Sequence, residues 1–302
     1  MIPKQKLGAT GLEVTRLGYG SMGLRGPNTW GVRVVDDEQS DSLLNLVLDS
    51  GINFIDTAPA YGVAEERIGR AISHRREEYY LATKCGCDYI QHEDCLELKF
   101  TMKPDVVKRD IETSLRRMKT DYIDLLQFHG GDAETLEREG LIDLVQDFKS
   151  QGLIHHIGVS SKGKELGAFL AMNVFEVFQV PYSCLAPQDE STMSVIANAG
   201  AGIIVRGGVA HGGPDAEVER PLLNQIWEES KLDELVPPDN TKAQFILRHT
   251  LSNPHAGTII VGTGNPDHMK ENIAAVESGP LPKSLTQEVN RRVRGFNSEI
   301  YG

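Results

Sequence analysis

Residues 40–58 read SDSLLNLVLDSGINFIDTA. In the first half Leu43, Leu44, Val47 and Leu48 recur at helical spacing, and Gly51 ends the run. In the second half INFIDTA (52–58) is a short apolar strand bounded by turn residues. The same alternation continues outward in both directions. TRLGYG (15–20) stands before it, and YYLATK (79–84), YIDLLQFH (122–129), IHHIGVS (154–160), VFEVFQV (174–180), GIIVR (202–206) and TIIVG (258–262) follow. A further helix is expected from Pro104, at the favoured first helical position, through Val107, Ile111, Leu115 and Met118, and a shorter one around Val195, Ile196 and Ala199. Strands that are apolar nearly throughout and alternate with helices imply a parallel sheet covered on both faces. Eight such units match a closed (β/α)8 TIM barrel of the α/β class rather than an open doubly wound sheet. The open dinucleotide-binding fold requires G-x-G-x-x-G leading into a helix. Gly18-Tyr19-Gly20-Ser21-Met22-Gly23 has that spacing, but the LRGPNTWGVRVVDD after it is loop-like, so the match lacks its context.

The 302 residues carry 31 Lys+Arg against 43 Asp+Glu, a net charge of −12. An acidic surface without a Lys/Arg run repels nucleic acid and anionic headgroups, so neither is an expected partner. No stretch approaches the ~18 apolar residues of a membrane span, and MIPKQKLGATGLEVT has no apolar core after its basic residues. The expected location is the cytoplasm, and the four cysteines are expected as free thiols there. The length then fits one domain over residues 1–302: a barrel, an N-terminal β-hairpin from KLGATGLEV (6–14) turning at Thr10-Gly11 and capping the far end, and a C-terminal helix. Two long connections, 85–103 and 207–240, are expected as functional loops on the C-terminal face, where such barrels hold their active sites.

Four polar residues fall at or just beyond three successive strand ends: Asp56 and Tyr61, Lys84, and His129. Neighbouring strands bring them to one side of the rim. Asp56 and Lys84 are costly to bury unless they pair with each other. Lys84 would then lie near Tyr61 and favour its phenolate. A depression of about 3 pKa units corresponds to roughly 4 kcal/mol, and would give a proton donor usable near neutral pH. Singly, each residue has a plain structural explanation as a turn, loop or solvated rim group.

The contexts DTAPAYG, ATK and LQFH are more specific together, and here the sequence resembles the aldo-keto reductase superfamily. The resemblance runs through LGATGLEVTRLGYGSMG (7–23), GINFIDTAPAYGVAEERIGRAI (51–72), LATK (81–84), SLRRMKTDYIDLLQFH (114–129), IGVSS (157–161) and IIVGTGNPDHMKENIAA (259–275). It implies a (β/α)8 barrel with a catalytic tetrad at Asp56, Tyr61, Lys84 and His129. The implied reaction moves a hydride between nicotinamide and a carbonyl, whether aldehyde, ketone or sugar. Tyr61 would be general acid and base, Lys84 held by Asp56 would tune it, and His129 would orient the substrate carbonyl. A second function class stays open, a nicotinamide-binding regulatory or scaffold module with little turnover; the complete tetrad favours the enzyme. A metal-dependent hydrolase would need His and carboxylate clusters on several strand ends, and only His129 qualifies.

The resemblance also implies a cofactor site formed by Gly20, Ser21, Met22, Asp56, Ser160, Ser161, Gln179, Arg206, Gly207, Gly208, Val209, Ala210, Gly212, Gly262, Thr263, Gly264, His268, Glu271 and Asn272. Relatives commonly hold the nicotinamide carboxamide with a Ser-Asn pair and a Gln. Ser160 and Gln179 match, but Ser161 replaces the Asn and offers fewer hydrogen bonds. Arg206 stands where an aromatic ring usually stacks on the nicotinamide. Its guanidinium can stack too, and its charge should disfavour the oxidised cofactor. The glycine-rich 207–212 segment suits a pyrophosphate, and the helix that follows Gly262-Thr263-Gly264-Asn265 presents its N-terminus to the adenosine phosphate. The Arg and Lys that often grip a 2′-phosphate are replaced by His268 and Gly262. Thr263, Asn265 and Asn272 can still donate, so NADP(H) is the favoured cofactor, with NAD(H) open.

Cys85, Cys87, His92 and Cys95 form C-x-C-x4-H-x2-C directly after Lys84. Zinc, redox-reactive thiols and packing thiols all stay open; no metal is expected, because C-x-C is tighter than the usual zinc spacing. Trp30 is a candidate substrate-pocket wall with Tyr61 and His129, whereas Trp227 in LLNQIWEES fits the buried face of a short helix. The rim loops 23–36, 85–103 and 207–240 would set specificity; the substrate and the oligomeric state are not legible.

Overall fold

All eight expected strands form, and they close into a ring in which every neighbouring pair is parallel. The computed structural model describes residues 1–27, 34–91, 96–216 and 220–300. An antiparallel pair, β1 (Lys4–Lys6) and β2 (Glu13–Thr15), precedes the barrel. The barrel strands are β3 (Leu17–Gly20), β4 (Phe54–Asp56), β5 (Tyr80–Cys85), β8 (Ile123–His129), β9 (Ile154–Ser160), β10 (Val177–Pro181), β11 (Gly202–Arg206) and β12 (Thr258–Val261). Between β5 and β8 lies a second hairpin, β6 (Cys87–Gln91) and β7 (Leu96–Phe100). The helices are α1 (Asp37–Asp49), α2 (Ala64–Ala71), α3 (Pro104–Met118), α4 (Ala133–Arg138), α5 (Leu141–Ser150), α6 (Lys164–Ala171), α7 (Glu190–Asn198), α8 (Pro221–Glu229), α9 (Lys242–Leu251), α10 (Pro266–Glu277) and α11 (Lys283–Ile300).

Local chemistry explains the helix boundaries. The Asp36 carboxylate caps α1 by accepting from the Gln39 amide, three residues on, at 2.8 Å, with Asp37 and Glu38 at the positive end of the helix dipole. Its buried face is the expected one, Leu43, Leu44, Val47 and Leu48, joined by Ser40. Pro104 opens α3 as expected, and Lys119 in the left-handed conformation closes it. In α7 the buried pair is Met193 and Ile196; Val195, expected on that face, is 57% exposed.

The N-terminal hairpin closes the bottom of the barrel, as expected. A short 3-10 turn, Gly8–Thr10, lies within it, and Gly11 turns the chain with a positive φ of 81°. Leu7 and Val14 from this hairpin join Phe54, Ala82, Leu125, Val177 and Ile204 in one buried cluster inside the barrel. Burying each large member contributes on the order of 2 kcal/mol.

Side chains alternate along a strand, so the interior positions one step toward the C-terminal ends follow by counting in twos. Phe54 leads to Asp56, Ala82 to Lys84, Leu125 to Gln127 and His129, Val177 to Gln179, and Ile204 to Arg206. An apolar floor therefore carries a polar layer. Gly158 belongs to this stacking: a β-carbon there would come 2.8 Å from the Val177 carbonyl and 3.3 Å from the Gln127 side chain.

Two expectations need correction. Residues 85–103 are not an irregular loop, since β6 and β7 pair through a ladder from Cys87–Phe100 to Gln91–Leu96. The 207–240 segment likewise carries a 3-10 turn (Ala210–Gly212), α8 and a second 3-10 turn (Leu232–Leu235). Trp227 lies on the buried face of α8, edge-on to Phe245 at 6.0 Å, as expected. After Gly23 no α-helix begins before Asp37 among the described residues, in keeping with the loop expected there.

Candidate active site

Asp56 ends β4 and Lys84 stands next to the end of β5, both wholly enclosed. Lys84 Nζ donates to Asp56 Oδ1 at 2.6 Å and to the Thr57 carbonyl at 2.8 Å. Asp56 Oδ2 accepts from Gln127 Nε2 at 2.9 Å and from Gln179 Nε2 at 2.8 Å. Both carboxylate oxygens are thus satisfied, which is the condition for a buried ion pair to be tolerated. Burial pulls the Lys84 ammonium toward losing its proton, but Asp56 and Tyr61 oppose this and its pKa ends above the ordinary lysine value.

Tyr61 follows β4 in a turn closed by its own amide donating to the Ala58 carbonyl at 2.9 Å. Lys84 Nζ lies 5.0 Å from the centre of its ring. The expected depression of the Tyr61 pKa does not occur here. Burial dominates and raises it; Lys84 works the other way, and Asp56 offsets part of that positive charge. Tyr61 is therefore a neutral phenol over the physiological range.

His129 ends β8 at an interior position, and its ring centre lies 6.0 Å from that of Tyr61 in an edge-on arrangement. Burial holds its pKa well below the ordinary histidine value, and Lys84 and Arg206 reinforce the effect. The imidazole is neutral. Phe100, from the end of β7, meets it edge-on at 5.0 Å while remaining half exposed, and forms an apolar wall at the mouth. On its inner side His129 Nδ1 lies 2.9 Å from the Cys87 sulfur.

Two neighbours, Gln127 and Phe100, were not singled out from the sequence, and a third, Cys87, was named only within the C-x-C motif and not as a partner of His129. Gln127 is two residues before His129, and the period of two along β8 was the available signal. Phe100, and the approach of Cys87 to His129, were hidden because the 85–103 segment carries no clear strand pattern. Cys85, by contrast, points outward into the core. His92 and Cys95 lie outside the described residues, as does Trp30; among the described residues no cluster of His, Cys, Asp and Glu could hold a metal ion.

The residues expected at a cofactor divide into engaged and available groups. Gln179 is engaged at both ends of its amide, since Nε2 donates to Asp56 with one of its two hydrogens and Oε1 accepts from the Ser160 hydroxyl at 3.0 Å. Asn265 caps α10 through the Asp267 amide at 2.9 Å, and the Thr263 hydroxyl accepts from the Asn265 amide at 3.0 Å. The Ser21 hydroxyl and Arg206 Nε, in contrast, are buried without partners. Burial also lowers the Arg206 pKa. Four successive residues, Ala210, His211, Gly212 and Gly213, have φ values of 47°, 61°, 104° and 76°. Left-handed backbone at a non-glycine costs about 1–3 kcal/mol per residue and collects at functional sites. Met22 is exposed in the 3-10 turn Ser21–Leu24 that follows β3, and His268 and Glu271 lie exposed on α10, where Asn272 is buried. Orphaned donors and a turn of this shape fit an anionic, planar cofactor.

A closed parallel barrel with a buried acid, lysine, phenol and neutral imidazole at its C-terminal mouth defines an oxidoreductase class that works on carbonyl compounds. The chain belongs to the aldo/keto reductase family, whose profile matches residues 16–293. It is 28% identical over 305 aligned positions to the uncharacterized oxidoreductase YqkF of Bacillus subtilis, covering 94% of this chain and 93% of that one. The holo form of aldo-keto reductase AKR11C1 from Bacillus halodurans superimposes with a TM-score of 0.83 at 29% identity, over 97% of this chain and 96% of that one. The NADH-specific methylglyoxal reductase of Escherichia coli is 27% identical over 203 residues, covering 60% of this chain and 59% of that one. Membership of this family implies a nicotinamide cofactor and small carbonyl substrates. No helix among the described residues is long and apolar enough to cross a membrane.

Proposed function

We propose that the protein reduces small aldehydes, ketones or sugars with NADP(H) as the preferred cofactor, and that Tyr61 is its general acid. The observation that carries this reading is the enclosed pairing of Lys84 with Asp56 beside a neutral Tyr61, opposite a neutral His129. A reduced nicotinamide, when bound, supplies the hydride. Tyr61 donates its phenolic proton to the carbonyl oxygen, and the phenolate left behind is stabilised by the adjacent Lys84 ammonium. Asp56 keeps Lys84 charged and fixed, while Gln127 and Gln179 keep Asp56 fixed. His129 donates to the carbonyl oxygen and sets its direction toward Tyr61. Phe100 shields the reacting carbon from water.

On the cofactor side, Arg206 would lie against the nicotinamide, the Ala210–Gly213 turn against the pyrophosphate, and Ser21 with the N-terminus of α10 against the adenosine half. His268, in the first turn of α10, is the group placed to favour the 2′-phosphate. With no Arg or Lys at positions 262 and 268, the preference for NADPH over NADH is expected to be modest, about 10- to 100-fold.

The test is absorbance at 340 nm with NADPH or NADH and a panel of aldehydes, ketones and aldoses. Turnover lost in Tyr61→Phe, with cofactor affinity retained, supports the reading. Tight cofactor binding without turnover of any carbonyl overturns it, and a higher kcat/KM with NADH overturns the cofactor assignment.

A further inference from the structure

Cys87 is fully buried, yet it belongs neither to the acid-lysine pair nor to the hydrophobic core of the barrel. Its backbone is pinned on both sides. The amide donates to Asp110 Oδ2 at 2.9 Å, and the carbonyl accepts from Arg109 at 2.9 Å. That anchoring, from the first turns of α3, aims the sulfur at the inner edge of the His129 ring, 2.9 Å from Nδ1.

We infer that Cys87 is a positioning residue that holds His129 in the tautomer bearing its proton on Nε2. The thiol has one proton to give. Burial, with Asp110 adding to it, pushes the Cys87 pKa far above the ordinary thiol value, so the sulfur stays an S–H. The Ala60 amide already donates to this sulfur, which leaves the thiol proton for another acceptor. Nδ1 of the neutral imidazole is the acceptor in reach. A neutral imidazole that accepts at Nδ1 carries its hydrogen on Nε2. In the opposite tautomer Nε2 would turn a lone pair toward the carbonyl oxygen, and the two would repel. The inference rests on the proposed role of His129 as donor to the carbonyl, and adds the group that makes it a donor.

The charged groups around His129 do not fix this choice. Lys84 and Arg206 both disfavour the imidazolium, but neither selects between the two neutral forms. Phe100 and Tyr61 meet the ring edge-on, with ring centres 5.0 Å and 6.0 Å from its own.

The experiment uses the full chain, labelled with nitrogen-15 in its histidine rings and observed by long-range proton–nitrogen correlation at pH 7, with His129→Asn to assign the signals. The wild type is expected to show His129 as the Nε2–H tautomer. Cys87→Ala should show the Nδ1–H form or a mixture, and Cys87→Ser should restore the wild-type pattern, since a hydroxyl donates as the thiol does. In parallel, Cys87→Ala should lower kcat by about tenfold or more with the KM for NADPH unchanged, and Cys87→Ser should recover much of the loss. A wild-type His129 protonated on Nδ1, or a tautomer unmoved in Cys87→Ala, overturns the inference. The spectra need no turnover, so a protein inactive toward every carbonyl would defeat the proposed function and leave the tautomer result standing.

Discussion

Gln127 Nε2 donates to Asp56 Oδ2 at 2.9 Å, from the strand position two residues before His129. The carboxylate that fixes Lys84 is thereby fixed from a third strand. Gln127→Leu removes one hydrogen bond to a charged group but also a buried Oε1 that has no partner, so the net cost is expected at about 1–2 kcal/mol. Gln127→Glu sets a second carboxylate against Asp56 and should cost more. Chemical denaturation orders the three proteins; a Glu variant as stable as wild type would contradict the geometry.

Lys84→Met leaves Asp56 charged and unpaired in a sealed interior, with an expected loss of about 3–5 kcal/mol as well as loss of turnover. Adding Asp56→Leu removes the orphaned charge. The double variant should regain most of the stability and none of the activity. Equal stability of the single and double variants would show that the pair is not a buried charge couple.

Acidification should destabilise the fold through histidine. His129 and His249 both have folded-state pKa values below the ordinary one. Below about pH 6.5 the unfolded chain binds protons that the folded chain refuses, so stability is full above that pH and falls as pH drops toward the folded values. Each site contributes a slope of up to about 1.4 kcal/mol per pH unit. His129→Asn should flatten the decline between pH 6.5 and 5 measured by urea unfolding. An unchanged slope would place His129 in solvent. Carbonyl reduction, by the same shifts, should not lose rate to His129 protonation near pH 6.5, and Tyr61 should keep its proton past the ordinary tyrosine value.

Arg206 ends β11 with Nε buried and unpartnered. A cation against the nicotinamide disfavours its oxidised, positively charged form. Arg206→Tyr should shift the ratio of affinities toward the oxidised cofactor by about fivefold, equivalent to ~1 kcal/mol. Fluorescence titration with both redox forms measures the ratio directly, and an unchanged ratio removes Arg206 from the ring.

Sequence periodicity by itself determined the eight strands, their alternation with helices and the convergence of Asp56, Lys84 and His129, because a repeated period of two and of 3.6 is a local property and a closed ring leaves one mouth for the strand ends. It could not supply what depends on which interior positions share a layer. Gln127 and Gln179 meet on Asp56 from strands 52 residues apart in the chain, and only the barrel's stagger brings them level. Nor could it give the sign of the Tyr61 shift, which turns on how completely the ring is enclosed and on the negative charge beside Lys84. The 85–103 segment has no helix or strand signature to read. Its pairing into β6 and β7, and with it the approach of Cys87 and Phe100 to His129, was decided by tertiary structure alone, where backbone hydrogen bonds between distant residues replace any local preference.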